Sequence, residues 1–289
     1  MEIIHTVAEL RARLKSESII GFVPTMGNLH SGHIDLTRIA RACVNAHSPD
    51  QAGAGGCVVV SIFVNRLQFG PKEDFGSYPR TFADDTEKCR AAGVDIVFAP
   101  TEAAMYPAPQ HYLVEPPNIQ HILDGAVRPG HFRGVATVVL KLFNMVRPTV
   151  AVFGKKDYQQ CRVLDNMVQQ LNLPIEMVLA DTVRADDGLA LSSRNGYLSA
   201  AERIEAPQLF AELSKLKHNI LSGERNFAAM EAGVAAALDA RGWKPDYIAV
   251  RRSDDLLEPS PADKKLVILA AARLGATRLI DNVEVTLDE

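Results

Sequence analysis

The sequence lacks the two common glycine-rich signatures of nucleotide binding. Neither G-x-x-x-x-G-K-[ST] nor G-x-G-x-x-G occurs in its 289 residues, so a P-loop kinase and a dinucleotide-dependent oxidoreductase are unsupported. Long apolar runs are absent too. None reaches the length of a membrane span, and the amino terminus lacks the apolar core and cleavage site of a signal peptide. We expect a soluble protein without a membrane partner.

Cysteines are few, and basic residues do not outnumber acidic ones. The four cysteines, at positions 43, 57, 89 and 161, include no C-x-x-C pair, so neither a disulfide framework nor a structural metal site is expected. A reducing cytoplasm fits this content. The net charge of −4 leaves no basic excess that could bind a nucleic acid. Apolar residues make up 47% of the chain and charged residues 23%, which is typical of a folded globular protein.

Short apolar runs alternate with segments of helical periodicity, which predicts an α/β fold with a parallel sheet covered by helices. The amino terminus reads as a short strand and an amphipathic helix, and His33 to Ala46 as a second helix. Nearly continuous apolar runs are typical of strands buried on both faces. Five further strands are predicted on this basis, at Ile19–Val23, Cys57–Val64, Val94–Ala99, Thr149–Phe153 and Ile175–Ala180.

The alternation stops near residue 183, which predicts a domain boundary there. Residues 1–183 would form the domain with the parallel sheet, and residues 184–289 a smaller α+β domain. The smaller domain would contain a helical region from Ala200 to about Arg241 and two strands, Tyr247–Arg251 and Leu266–Ala271. In the first domain we expect a surface loop at 48–56 and an irregular, proline-rich segment at 100–130, whose length suggests a functional role.

The segment PTMGNLHSGH, from Pro24 to His33, lies where a predicted strand passes into a helix. Its glycines let the backbone approach a ligand, and His30 and His33 lie at the amino end of the helix. Free N–H groups and the helix dipole make that end an anion site. We interpret it as a phosphate site, although a surface turn with two ordinary histidines is an alternative that H-x-G-H alone does not exclude.

Two more segments are candidates to contact phosphate. GKKDYQQ follows a predicted strand and places Lys156 at the same sheet edge, unless its lysines are only solvated charges at a helix start. DGLALSSRN combines Ser192, Ser193 and Arg194 in a loop between the two domains, and a guanidinium suits phosphate. A loop rich in serine and asparagine is by default merely a loop.

Amides and valines suggest a second ligand with an aliphatic body. FVNRLQF ends a strand with Asn65 and Gln68, which suit hydroxyl and carboxylate groups, or cap the strand. RPGHFRGVATVV places His131 before a helix on which three valines share one face, either as core or as the wall of a pocket. Those valines are Val135, Val138 and Val139.

Together these segments resemble the pantoate–β-alanine ligases, a family of the H-x-G-H nucleotidyltransferase superfamily. The resemblance runs almost end to end and includes the late segment ARLGATRLIDN. It implies a Rossmann-like, doubly wound sheet with a smaller domain. We expect the smaller domain to close over ATP, because the loop with hydroxyl groups and an arginine lies at the predicted boundary. The resemblance also implies that ATP, pantoate and β-alanine give pantothenate, AMP and pyrophosphate through a pantoyl adenylate. A homodimer, and Mg²⁺ bound through the ATP phosphates, are further implications.

The resemblance implies a role for each matching residue. His30 and His33 would contact the ATP phosphates and the charge developing at the α-phosphorus, and Lys156 would bridge phosphate and the attacking carboxylate. The mobile loop that holds the triphosphate would contain Ser192, Ser193 and Arg194. The other implied ATP contacts are Met26, Gly154, Asp157 at the ribose, Val183 and Leu191. The implied contacts with pantoate and β-alanine are Asn65, Gln68, Gln160, Met26, His131, Val138 and Val139.

Three positions depart from the family pattern. Arg66 stands in place of a proline, Asn28 in place of a small residue, and Lys155 in place of an acidic residue. None of them removes a residue with an implied chemical role. Arg66 could alter the affinity for the acid or pair with a neighbour. Candidate protein ligands of Mg²⁺ are Asp84 and Asp85, with solvated helix charges as the alternative.

Two other functions remain open from the sequence. Another H-x-G-H nucleotidyltransferase would make a dinucleotide and stop there, but Gln68, Gln160 and the valine face argue against it. A silent paralogue that only binds nucleotide would be expected to have lost one of the four main site residues. These are His30, His33, Lys156 and Arg194, and all are present. A tRNA synthetase is excluded by size and by the lack of a basic face.

Overall fold

The computed structural model describes residues 1–47, 56–71 and 73–287. The loop expected at 48–56 therefore lies outside the described residues, apart from its last glycine. The strands are β1 Glu2–Ile4, β2 Ile20–Thr25, β3 Cys57–Ile62, β4 Ile96–Phe98, β5 Val150–Gly154, β6 Glu176–Ala180, β7 Trp243–Arg252, β8 Lys265–Leu274 and β9 Thr277–Thr286. The helices are α1 Val7–Leu14, α2 Ser31–Ala46, α3 Phe82–Ala91, α4 Glu102–Met105, α5 Asp124–Val127, α6 His131–Val146, α7 Tyr158–Gln170, α8 Ala200–Glu205, α9 Gln208–Leu221 and α10 Phe227–Asp239. No helix in these ranges is both long and apolar enough to cross a membrane.

Strands β1 to β6 form one parallel sheet in the order β1-β4-β3-β2-β5-β6. From the central strand β2 the chain winds outward through β3 and β4 on one side, and later through β5 and β6 on the other. The predicted doubly wound α/β fold is therefore confirmed. The direction of winding reverses between β2 and β5, and open α/β sheets bind ligands at the carboxyl ends of strands beside such a switch point.

Both faces of this sheet are buried, which explains the continuous apolar runs. On one face Phe22, Val59 and Phe98 pack with residues of α1, α6 and α7. The alternate residues Val23 and Val60 point to the other face, where they pack with residues of α2 and α3. All five strands predicted from apolar runs are present, with ends that differ from the prediction by at most two residues.

The carboxyl-terminal part contains three helices, α8 to α10, and an antiparallel sheet in the order β7-β8-β9. The sequence predicted only two strands here, because charged residues interrupt the apolar pattern of β9. These charges are paired in the structure. Arg278 binds Asp124 and Asp246, Asp281 binds Arg184, and Glu284 binds Lys155.

The small sheet is buried on both faces. Leu266 and Ile268 of β8 belong to the core formed with α9 and α10. The alternate residues Val267 and Leu269 belong to the core that includes the helices of the parallel sheet. Part of the irregular segment at 100–130 also contacts this sheet, since Asp124 at the start of α5 binds Arg278 of β9 at 2.6 Å. The two parts of the chain are therefore joined by apolar residues of a shared core and by an ion pair.

Candidate active site

The carboxyl ends of β2, β3, β5 and β6 surround a cavity of ≈ 230 Å³. Every residue assigned to the site from the sequence lines it, together with residues that the sequence did not indicate. What each residue binds stays a prediction. The assigned residues in the lining are Met26, His30, His33, Asn65, Gln68, His131, Val138, Val139, Gly154, Lys156, Asp157, Gln160, Val183, Leu191, Ser192, Ser193 and Arg194.

The two histidines lie at the amino end of α2, as predicted, although the helix begins at Ser31, two residues before the predicted start. Their ring centroids are 4.0 Å apart. The backbone N–H of His30 donates to Nδ1 of His33 at 3.3 Å, so the proton of a neutral His33 resides on Nε2. Nδ1 of His30 is buried and has no partner among the described residues. A buried polar atom without a partner calls for a ligand or a water.

Both imidazoles are held in the neutral form. Burial lowers the pKa of His30 to about 4, and the cation Lys156 adds to this effect. Burial likewise lowers the pKa of His33 to about 3, with His30 as a further cause. At neutral pH each ring therefore offers one N–H donor to an anion and no charge of its own.

Asp85 positions the loop before these histidines rather than binding a metal. Its carboxylate is fully buried and accepts the backbone N–H groups of Asn28 at 2.9 Å and Leu29 at 2.7 Å, and the Thr81 hydroxyl at 3.2 Å. The prediction of Asp85 as a Mg²⁺ ligand does not fit these contacts. Asp84 is exposed on α3 and does not line the cavity. The described residues contain no group of three or more His, Cys, Asp and Glu side chains that could hold a metal ion.

Lys156 and Asp157 belong to a single 3₁₀ turn, Lys155–Asp157, that follows β5 directly. The ammonium of Lys156 is 3.7 Å from the carboxylate of Asp157. Enclosure in the cavity acts to raise the pKa of Asp157, but Lys156 and Arg194 outweigh it and hold this pKa below its usual value. The turn therefore presents a cation and an ionised carboxylate at the switch point of the sheet.

The segment with Ser192, Ser193 and Arg194 leads into a 3₁₀ turn, Ser193–Tyr197, and is held against the loops of the parallel sheet. The Ser193 hydroxyl donates to the carbonyl of Asn28 at 3.1 Å. The Arg194 guanidinium donates through Nε and Nη2 to the carboxylate of Asp74, at 3.0 and 2.9 Å. This pairing uses one edge of the guanidinium. Its remaining N–H groups make no further hydrogen bond among the described residues and can bind an anion.

The amide end of the cavity is preorganised around Gln68. Asn65 is buried, and its amide donates to Oε1 of Gln68 at 3.0 Å and to the carbonyl of Gly134 at 3.1 Å, while Tyr106 donates to its oxygen at 2.7 Å. The amide nitrogen of Gln68 donates to the sulfur of Met26 at 3.2 Å. Asn65 thus orients Gln68. The side chain of Gln160, which also lines the cavity, makes no hydrogen bond within the described part of the chain and is available to a ligand.

His131 supports this arrangement from α6. Its Nδ1 donates to the carbonyl of Gln68 at 2.8 Å, and its Nε2 accepts from Arg128 at 3.0 Å. Burial lowers the pKa of His131 to about 4, with the Arg128 cation as a second cause. Arg128 in turn makes two contacts of 2.7 Å with Glu73. Both ring nitrogens are therefore engaged by the protein, and His131 holds Gln68 in place.

Several lining residues were not indicated by the sequence. Arg128 and Tyr78 line the cavity, and Asp74 pairs with Arg194. Asp74 and Tyr78 belong to the segment GPKEDFGSYPR, residues 70–80, which has no regular periodicity. Arg128 lies at the end of the irregular 100–130 segment. The consecutive acids Glu73 and Asp74 in so short a loop were the available signal. The predicted valine face of α6, which includes Val135, is extended into an apolar wall by Phe63 and Leu142.

The three departures from the family pattern have local partners. Arg66 points away from the cavity, binds Glu102 at 2.9 Å and lies 4.1 Å above the ring of Phe75. Asn28 adopts a φ of 50°, and its amide donates to the carbonyl of Ser193 at 3.2 Å. Lys155 binds Asp181 and Glu284 at 3.0 and 2.8 Å. Of the alternatives for Arg66, pairing with a neighbour is the one observed.

A second cavity of ≈ 990 Å³ adjoins the first. The two share Gln68, Arg128, His131, Lys156 and Arg194 in their linings. The second extends toward the end of β8 and the start of β9, where Arg273 and Thr277 line it. A molecule in the second cavity would therefore reach Lys156 without first passing the histidines.

Comparisons with known proteins agree on one family. The family model described as pantoate-beta-alanine ligase matches residues 2–284. The pantothenate synthetase of Chromobacterium violaceum is 56% identical over 286 residues, which cover 99% of each chain. The crystal structure of pantothenate synthetase from Thermus thermophilus superposes with a TM-score of 0.90 at 43% identity, over 99% of this chain and 100% of that one. The pantoate-beta-alanine ligase from Francisella tularensis, complexed with beta-gamma ATP and beta-alanine, has a TM-score of 0.77 at 31% identity, over 98% and 97%.

Proposed function

The chain belongs to the pantoate–β-alanine ligase family, and from that membership we propose that it joins pantoate to β-alanine with ATP, through a pantoyl adenylate. The products would be pantothenate, AMP and pyrophosphate. The Francisella tularensis relative, solved with beta-gamma ATP and beta-alanine, supports two of the three substrates.

One observation carries the proposal: a single cavity contains both an anion site and an amide-and-valine site. His30, His33 and Arg194 line the cavity and have N–H groups that suit phosphate oxygens. Gln68, Gln160 and the apolar wall of α6 suit an acid that has hydroxyl groups and a branched aliphatic body. A dinucleotide-forming enzyme has no need of the apolar wall, and a silent paralogue has no need of the complete set of donors.

In the proposed first step, a carboxylate oxygen of pantoate attacks the α-phosphorus of ATP. The P–O bond to the β-phosphate breaks, and pyrophosphate leaves with its electron pair. Lys156 would neutralise charge on the α-phosphate and the carboxylate, while Nε2–H of His33 and the free N–H of His30 donate to phosphate oxygens. Preorganised donors of this kind stabilise the charge that develops in the transition state.

In the proposed second step, the amine of β-alanine attacks the acyl carbon of the adenylate. The C–O bond to AMP breaks, the amine loses a proton, and an amide forms. The second cavity provides the amine with a route to Lys156 and Gln68 while nucleotide occupies the first. No covalent intermediate with the protein is needed, so catalysis consists mainly of positioning and charge stabilisation.

The described residues contain no cluster of three or more His, Cys, Asp and Glu side chains that could hold a metal ion, and the Asp85 carboxylate already accepts three hydrogen bonds. We therefore propose that Mg²⁺ is carried by the ATP phosphates, where it would neutralise phosphate charge. Arg194 and Lys156 then have the task of orienting the triphosphate.

We also propose the wider organisation of the protein. Residues 1–183 would form the Rossmann-like domain that binds ATP and pantoate, and residues 184–289 the smaller domain that covers the triphosphate. The four cysteines are free in the structure, which suits a reducing cytoplasm. A homodimer is proposed from family membership, and light scattering coupled to size-exclusion chromatography measures it directly.

The proposed activity is tested by incubating the purified protein with ATP, Mg²⁺, pantoate and β-alanine and measuring pyrophosphate and pantothenate together. Both products should rise in step, and only when all the substrates are present. Turnover of ATP without pantoate would favour another nucleotidyltransferase. Nucleotide binding without any turnover would favour a silent paralogue.

A further inference from the structure

Asn282 of β9 reaches from the small sheet to the turn that carries Lys156. Its side-chain amide nitrogen donates to the carbonyl of Lys155 at 2.8 Å and to the carbonyl of Lys156 at 3.0 Å. The residue is only 6% exposed. A buried amide that bridges two consecutive carbonyls fixes the orientation of the two peptide planes on either side of the Cα of Lys156.

This contact can affect the direction of the Lys156 side chain because the Lys155–Asp157 turn is short. A single 3₁₀ turn has few hydrogen bonds of its own and poor hydrogen-bond geometry. The direction in which the Lys156 side chain leaves the backbone therefore depends on groups outside the turn. Among the described residues, Asn282 is the one whose side chain, from another element, donates hydrogen bonds to the backbone of this turn.

The same residue is linked to the loop that contains Arg194. Its backbone carbonyl accepts from Arg184 at 3.1 Å, and Arg184 also binds the carboxylate of neighbouring Asp281 at 2.6 and 2.9 Å. Arg184 donates further to the carbonyl of Gly188 at 3.1 Å. The 281–282 segment of β9 thus holds the lysine turn with one side and the beginning of the 184–194 loop with the other.

We propose that Asn282 is a positioning residue of the reaction, which sets the direction of Lys156 by holding the carbonyls of its turn. The inference rests on the proposed function only for the identity of the acid. It gives the small sheet a second task besides covering the triphosphate, namely to complete the floor of the site.

Asn282 is not needed to attach β9. Glu284, two residues further along the strand, binds Lys155 at 2.8 Å and accepts from the Tyr158 hydroxyl at 3.2 Å. Arg278 binds Asp124 at 2.6 Å. These contacts remain when Asn282 is replaced, so the variants should fold. Glu284→Gln is a matched control, because it weakens attachment of the same strand without touching the carbonyls of the turn.

The test compares Asn282→Ala with Asn282→Leu, which keeps the γ-branched shape of asparagine but is bulkier and has no hydrogen-bond donor. Pantoate-dependent exchange of pyrophosphate into ATP should fall in kcat by about tenfold to 100-fold in both variants, since a small misplacement of a reacting group has a cost of that order. The KM for pantoate should change much less. Glu284→Gln should keep the wild-type kcat even if its melting temperature falls. Full activity of Asn282→Leu would overturn the proposal in favour of simple packing.

A double-mutant cycle identifies the residue through which Asn282 acts. In a Lys156→Ala background, Asn282→Ala should cause no further loss of exchange, because the group that it positions is gone. An equal loss in both backgrounds would contradict the proposal.

Calorimetric titration with ATP gives a readout independent of pantoate. Asn282→Ala should weaken ATP binding by about threefold to tenfold in the wild-type background, and not at all in the Lys156→Ala background. If the wild type binds ATP but shows no exchange with pantoate, the proposed function fails while this titration still decides the role of Asn282. Unchanged ATP affinity together with unchanged exchange would refute the role itself.

Discussion

At the scale of residues, the histidines of the site are neutral, and its positive charge comes from other side chains. His30, His33 and His131 are uncharged at neutral pH because they are buried near Lys156 or Arg128. Positive charge comes from Lys156 and from Arg194, which is held by Asp74. An anionic ligand would therefore meet the cationic side chains of Lys156 and Arg194. It would also meet uncharged N–H donors, which have no charge that must lose its hydration.

The neutral histidines make stability depend on pH. These histidines have a lower pKa in the folded than in the unfolded protein, where it is near 6.5. Their contribution to stability is complete at a pH above the unfolded pKa, and it is lost as the pH falls toward the folded pKa, because the unfolded state then binds more protons. For His131 that window extends from 6.5 to about 4. The free energy of unfolding in urea should fall across it, by up to about 1.4 kcal/mol per pH unit for each such histidine. His131→Gln should reduce this slope, and an unchanged slope would contradict the neutral assignment.

Asp74 is expected to orient Arg194 rather than compete with the nucleotide. Asp74→Asn removes the charge that holds Nε and Nη2, so kcat/KM for ATP should fall by about tenfold. Steady-state kinetics with varied ATP measure this. Asp187→Asn is the control, because Asp187 makes a comparable contact with the exposed Arg203. Tighter ATP binding in Asp74→Asn would instead identify Asp74 as a competitor that ATP must displace.

At the scale of elements, the site depends on how closely helices and loops approach one another. α6 packs directly on the Arg66–Gln68 turn, and Gly134 permits this. A Cβ at that position would lie 2.2 Å from the carbonyl oxygen of Leu67 and 2.7 Å from Cα of Gln68. The segment with Ser192 and Ser193 approaches the Asn28 loop in a similar way.

Gly134→Ala should therefore displace Gln68. The expected result is a KM for pantoate raised by about tenfold or more, with a lower melting temperature, because backbone rather than a flexible side chain must move. Gly233→Ala in α10 is the matched control, since a Cβ there meets nothing within 4 Å, and it should stabilise the helix by roughly 0.5–1 kcal/mol. A wild-type KM in Gly134→Ala would show that the turn is not fixed by α6.

The loop that contains Arg194 should be decisive for the first chemical step. Arg194→Ala removes a proposed ligand of the triphosphate, and pantoate-dependent pyrophosphate exchange should fall by about 100-fold to 1000-fold. The aminolysis of a chemically prepared pantoyl adenylate should be affected much less, because pyrophosphate has already left. Unchanged exchange would remove this loop from the proposed mechanism.

At the scale of the whole molecule, the sequence predicted those features that follow from the local periodicity of apolar residues. The strands of the parallel sheet are buried on both faces, so their apolar runs were distinct, and motifs that follow strands necessarily meet at one sheet edge. β9 was missed because Arg278, Asp281 and Glu284 look solvent-exposed until their partners, which are distant in the sequence, are known. For the same reason the sequence left Asp85 as either a metal ligand or a solvated helix charge, whereas it is buried and accepts backbone N–H groups of another loop.

The most direct test of the proposed mechanism follows an oxygen atom. If pantoate labelled with ¹⁸O in its carboxylate forms an adenylate, one labelled oxygen bridges carbon and phosphorus and stays with AMP when the amine breaks the C–O bond. Mass spectrometry of the AMP should show one ¹⁸O per molecule of pantothenate formed. Unlabelled AMP, with pantothenate still produced, would contradict activation of the acid at the α-phosphate.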